Sequence, residues 1–117
     1  MVRIAAQAQI DIADTLRFTE SRLGDAVRSR YQDLLQATFQ SLVDDPELNE
    51  STSRDDLSPG VRSLHLAFNF LEMTDGRMIR PRHIVFYRTG ADQIVEILRV
   101  LHDAMEVAHQ LNYLHQQ

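Results

Sequence analysis

At 117 residues, 44% hydrophobic, 25% charged and 7% aromatic, the chain has the length and balance of one globular domain, residues 1–117, and not of a disordered segment. It has no run of about 18 apolar residues, no apolar core of a signal peptide near Met1, and no cysteine, which sets aside membrane spans, secretion, disulfides and thiol chemistry and predicts a cytoplasmic protein. A net charge of −5 disfavours a broad nucleic-acid-binding surface, and all twelve basic side chains are Arg, so any anion-handling surface is built from guanidinium forks without a tunable Lys base.

Val2 to Ile4 is compatible with a short edge strand. Ala5, Ala8, Ile12, Leu16, Thr19 and Leu23 then recur at spacings of three and four, one stripe of an amphipathic helix. Gly24-Asp25 interrupts it, Gly as a stop and Asp as an N-cap candidate. A second stripe follows in Val27, Tyr31, Leu34, Thr38 and Leu42, widened by Leu35 and Phe39, and Pro46 ends it. So short a connection predicts an antiparallel helix hairpin with a wide apolar face to cover. Residues 44–60, rich in acids, Ser and Pro, are expected to form an exposed loop.

After Pro59-Gly60 the pattern becomes strand-like. Leu66, Phe68 and Phe70 alternate, and Asp75-Gly76 suits a hairpin turn before Met78-Ile79-Arg80. Pro81 marks an edge or a strand start ahead of Ile84-Val85-Phe86-Tyr87, whose turn is Thr89 to Asp92. Gln93 to Leu101 is apolar on both faces, as a central strand should be. Asp103 is positioned to cap a last helix, with Glu106 completing a capping box. The order defines an α+β fold: an N-terminal antiparallel helix hairpin packed on a small twisted antiparallel sheet, with a C-terminal helix.

Several of these segments, taken together, resemble a known family. Pro59 to Ser63, Arg82-His83-Ile84-Val85-Phe86-Tyr87-Arg88 and Val95 to His102, continuing into Asp103-Ala104-Met105-Glu106, resemble the RelE/ParE toxin superfamily, in particular its ParE branch. The likeness reaches back to Ala8-Asp11-Ile12 and to Asp45-Pro46-Glu47-Leu48. It implies the toxin half of a type II toxin–antitoxin, or plasmid stabilisation, module. Such toxins act on DNA gyrase without catalytic residues, use no cofactor or metal, and are held inactive in a hetero-oligomer by a ParD-type antitoxin whose C-terminal segment folds around them. The sequence departs from the family pattern in the added length between Leu64 and Arg82 and in His109-Gln110 near its end.

Arg62, Arg82, Arg88 and Arg99 are the candidates for antitoxin or target contact. Alternation puts Arg82, Ile84, Phe86 and Arg88 on one face of their strand and His83, Val85 and Tyr87 on the other. In the last strand it places Arg99 with Val95 and Ile97, and His102 with Leu98 and Val100. An Arg inside so apolar a strand requires a partner, expected from outside the strand, the antitoxin being one source. His102 and Asp103 are expected to order the strand-to-helix corner. The alternatives are a ribosome-dependent mRNA endonuclease of the RelE type, for which Tyr87, Arg99 and His102 would serve as acid, cation and base around a ribose 2′-hydroxyl, and a former toxin retained only as a binding partner. The five His show no zinc-site spacing.

Overall fold

A computed structural model of the chain describes residues 1–68, 71–72, 76 and 78–116. Strand β1 (Val2–Ile4) leads directly into helix α1 (Ala6–Leu23), and α2 (Asp25–Asp44) returns antiparallel to it. Gly24 closes α1 and opens α2 as a single residue, with φ at +91°, a region that costs a side chain dearly. Its N–H donates to Glu20 O and its own carbonyl accepts from Arg28 N–H. Asp25 is therefore the first helical residue and not the N-cap expected, although its charge still favours the positive end of the α2 dipole.

The predicted stripes face the sheet. Ala8, Leu16 and Thr19 of α1 and Val27, Tyr31, Leu35, Thr38, Phe39 and Leu42 of α2 are buried, while Leu23 at the end of α1 is exposed. The hydroxyls of Thr19 and Thr38 donate to the carbonyls four residues back, so these polar groups enter the interior satisfied.

Strands β2 (Thr52–Ser53), β3 (Arg62–His65), β6 (His83–Thr89) and β7 (Val95–His102) join β1 in a five-stranded sheet ordered β1-β7-β6-β3-β2. The fold is α+β as predicted, but the sheet is mixed: β1 runs parallel to β7, pairing Val2 with Val95 and Ile4 with Ile97, and the remaining pairs are antiparallel. The 44–60 segment does more than the expected exposed loop, since it supplies β2 and buries Leu57.

Three further expectations are corrected. The run through Leu66 and Phe68 is not strand. β3 stops at His65, whose Nδ1 accepts the N–H of Ala67 and bends Leu66–Phe68 into a single 3₁₀ turn; Phe70 lies outside the described residues. A separate ribbon of β4 (Leu71–Glu72) and β5 (Met78–Ile79) follows, with Gly76 at φ +86° between them, while Asp75 of the predicted turn lies outside the described residues. The last helix is short: α3 covers only Val107–Gln110 before a 3₁₀ turn at Asn112–Gln116, and its N-cap is Glu106 without a side-chain bond. The Asp103–Glu106 capping box does not form, because the Asp103 carboxylate binds Arg82 and His65 instead.

Apolar residues collect on both faces of the sheet. The helices cover Leu64, Val85, Tyr87, Val95, Ile97 and Val100 on one face. Leu57, Val61, Phe86, Leu98, Leu101, Leu111 and Leu114 form the second cluster on the other. The β6 alternation holds, but that of β7 slips where a bulge lets Phe86 oppose Arg99 and Tyr87 oppose Ile97. Beyond it Val100 packs on the helix side and Leu101 on the other, so Arg99 does not share the face of Val95 and Ile97, and His102 leaves that of Leu98. Among the described residues, no helix is long and apolar enough to cross a membrane.

Candidate functional site

The predicted site residues spread along the β6–β7 ribbon: His83 pairs with His102 at one end, Arg99 with Phe86 at the middle, and Arg88 lies near the other end. Four residues of an extended strand, about 13 Å, separate His83 from Tyr87. β1 pairs with β7 only as far as Ile97, which leaves the next outward backbone donor of β7 without a strand partner. Asp11 of α1 fills that place. Its Oδ2 accepts from the N–H of Val100 at 3.0 Å and from Nε of Arg99 at 2.7 Å, while Oδ1 accepts from Nη2 of Arg99 at 3.0 Å. Arg99 also donates through Nη1 to the carbonyl of Gln110, tying the C-terminal segment to the same point. Both side chains of the pair are only 11% exposed, and Asp11 holds the guanidinium charged more firmly than usual. The partner that Arg99 required thus comes from inside the fold.

Asp103 is a second hub at the corner after β7. It accepts two bonds from the Arg82 fork, at 3.0 Å from Nε and 2.8 Å from Nη2, and one from Nε2 of His65 at 2.9 Å. The Arg82 bonds, with that of His65, hold its carboxyl below the ordinary Asp range. The N–H of Asp103 donates to the carbonyl of Arg82, and the Nδ1 of His102 accepts from Ala104 N–H at 3.0 Å, so both residues order the corner. His83 and His102 stand edge to face with ring centroids 5.3 Å apart, and the Tyr31 hydroxyl lies 2.6 Å from His83 Nδ1. Burial, reinforced by His102, pushes His83 down to about 4, and burial pushes Tyr31 up. His83 is therefore neutral at physiological pH.

Above these groups runs a groove of about 270 Å³ between α1 and the end of β7. Val100, Leu101 and Thr15 line it together with His83 and His102, and Asp11 and Asp14 supply its acidic groups. Two apolar side chains stand open beside it, Phe18 at 60% and Met105 at 46% exposure. The groove thus joins an apolar floor and two carboxylates to the neutral imidazole of His83 and to the imidazole of His102. Among the described residues, no group of three His, Asp or Glu side chains is placed to hold a metal ion.

At the opposite end lie Arg62, Tyr87 and Arg88. Arg62 straps the preceding segment, donating to Ser51 Oγ at 2.8 Å from Nη2 and at 3.2 Å from Nε. Tyr87 is fully buried with its hydroxyl donated to the carbonyl of Pro46. Arg88 is half-buried in register with Glu96, its methylenes lying against Gly60, where a Cβ would meet Cδ at 3.6 Å. The hypothetical trio of Tyr87, Arg99 and His102 does not converge: Tyr87 and Arg99 are neighbours in register but face opposite sides of the sheet, His102 lies at the ribbon's end, and each is already bonded.

Sequence reasoning missed His65 and Tyr31 as members of the corner cluster, for neither carries a local signal of its role. Asp11 did carry one: it is an acid beside the apolar stripe of α1, in a fold whose central strand holds an Arg.

A helix hairpin laid on a five-stranded sheet is the architecture that the motifs' resemblance to small α+β toxins leads one to expect. A model of the ParE toxin of the type II toxin–antitoxin system parDE matches residues 2–107, and the chain belongs to that family. Toxin ParE1 of Caulobacter vibrioides is 30% identical over 103 residues, which cover 88% of this chain and 88% of that protein. Family membership makes the chain the toxin of a toxin–antitoxin module, with an antitoxin as its partner.

Proposed function

We propose that this toxin acts in the cytoplasm by gripping DNA gyrase, without catalysis of its own, and that a ParD-type antitoxin neutralises it, the pair stabilising the replicon that encodes it. One observation carries the reading: the side chains that RNA cleavage would recruit are committed to the fold. Tyr87 is buried on Pro46, Arg99 is clamped by Asp11, and His102 holds a backbone N–H at the corner. Acid–base work on a ribose needs groups that reach one phosphate together, and Tyr87 and Arg99, though neighbours in register, face opposite sides of the sheet. The net charge of −5 argues in the same direction, against docking on ribosomal RNA.

Arg62, Arg82 and Arg88, the first and last half-buried and the second exposed, are the proposed contacts for acidic groups of antitoxin or target. Arg99, facing Asp11, is assigned to the fold. The test is a gyrase supercoiling assay run beside in vitro translation with the purified toxin. Inhibited supercoiling with intact mRNA supports the reading. Cleaved mRNA with undisturbed supercoiling replaces it by the endonuclease, and no effect in either assay, with no growth arrest, replaces it by a former toxin that only binds.

A further inference from the structure

Three of the five histidines, His65, His83 and His102, gather at one end of the sheet around Asp103, and their rings are engaged alike. Nδ1 of His65 accepts from Ala67 N–H at 2.9 Å, and Nδ1 of His102 accepts from Ala104 N–H at 3.0 Å. A backbone N–H can only donate, so both Nδ1 atoms are unprotonated and each ring carries its single proton on Nε2. In His65 this is the nitrogen that donates to Asp103. Nδ1 of His83 faces the Tyr31 hydroxyl at 2.6 Å. Tyr31 is buried and keeps its proton, and a phenol is a better donor than a neutral imidazole, so it donates to Nδ1 here as well.

We propose that these three rings form a proton-sensitive latch: while neutral they pin the turn after β3 and the corner after β7, and protonation of His65 or His102 releases the backbone N–H that its ring holds.

Charged and titratable groups from several elements face the rings. Asp11 from α1 is held by Arg99, and Asp14, on the groove, by Arg17. Tyr31 from α2 is neutral. Asp103 receives the Arg82 fork and itself faces two of the rings, 2.9 Å from Nε2 of His65 and 3.6 Å from Nδ1 of His102, while His83 stands edge to face with His102. The low affinity of His83 for a proton agrees with such surroundings. Release at Ala104 loosens the corner leading to Met105, beside the groove, and to the segment whose Leu111 and Leu114 cover the far face of the sheet. The latch therefore couples the backbone at this end of the toxin to the protonation of His65 and His102, whichever molecule the toxin grips.

The test is an NMR titration of the uniformly ¹⁵N-labelled, full-length protein from pH 8 to 4.5, following the imidazole nitrogens and the amides of Ala67 and Ala104. The expected result is the Nε2–H tautomer in all three rings at pH 8. Each amide should then titrate with its own ring, losing up to about tenfold in exchange protection once intrinsic rates are removed. His102→Asn places an oxygen that does not titrate where Nδ1 accepts, so it should abolish the pH response of Ala104 and leave that of Ala67. An Nδ1–H tautomer in His65 or His102 at pH 8, or an Ala104 response unchanged in His102→Asn, overturns the proposal. Should that variant not fold, the tautomers and amide titrations of the unsubstituted protein decide it alone.

Discussion

Along the later half of β7 and the corner after it, Arg99 is bonded to Asp11 and Arg82 to Asp103, whereas at the far end of the ribbon Arg62 and Arg88 lie half-buried beside the acid-rich 44–60 segment. Both ends look alike in sequence, since each offers arginines flanking an apolar strand. They differ in what the interrupted sheet leaves unpaired. Where β1 stops short, an edge donor and a buried guanidinium need an internal acid, and α1 delivers Asp11 to both. Where β3 pairs with β6, Arg62 is bonded to the Ser51 hydroxyl and Arg88 lies half-buried against Gly60, without a clamp like that of Asp11 on Arg99. A charged residue in an apolar strand therefore reports first on the backbone beside it and only then on a partner.

The sharpest way to break this contrast is to remove Asp11. Asp11→Ala leaves Arg99 charged and without its carboxylate, and should cost about 3–5 kcal/mol in urea unfolding, a large share of the stability of a domain this size. Arg88→Ala at the opposite end should change stability by less than about 0.5 kcal/mol, while weakening antitoxin binding measured by calorimetry.

Between these extremes lies the histidine cluster. His83 stays neutral in the fold down to about pH 4, while in the unfolded chain it takes up a proton near 6.5. The unfolded state binds more protons in that window, so stability falls as pH drops from 6.5 towards 4, and the contribution of His83 levels off below it. The loss is at most about 3 kcal/mol, and unfolding curves at pH 7, 5.5 and 4.5 would follow it. A smaller effect is expected of Tyr87→Phe, which removes the bond to the Pro46 carbonyl and should cost about 1 kcal/mol in the same assay.

The helix stripes were legible because burial on one face imposes a period that survives any detail of the sheet: Ala8, Leu16, Tyr31 and Leu42 lie where the spacing puts them. The β6 faces were legible for the same reason. What failed was non-local. The bulge opposite Phe86 shifts every later residue of β7 by one, and no residue of β7 announces it. The shortness of the final helix follows from Asp103 bonding to Arg82 and His65, the latter 38 positions earlier in the chain. At the site, the candidates themselves were visible in sequence, but their commitments to Asp11, Pro46 and Ala104 became visible only in three dimensions.

The claim that the toxin grips and does not cut meets its most direct trial in the growth arrest caused by Tyr87→Phe, expressed without antitoxin and verified as folded by circular dichroism. Arrest equal to that of the unsubstituted toxin is the predicted result, because the buried Tyr87 hydroxyl is already donated to the Pro46 carbonyl. A folded variant that no longer arrests growth would contradict the account and return Tyr87 to an active site.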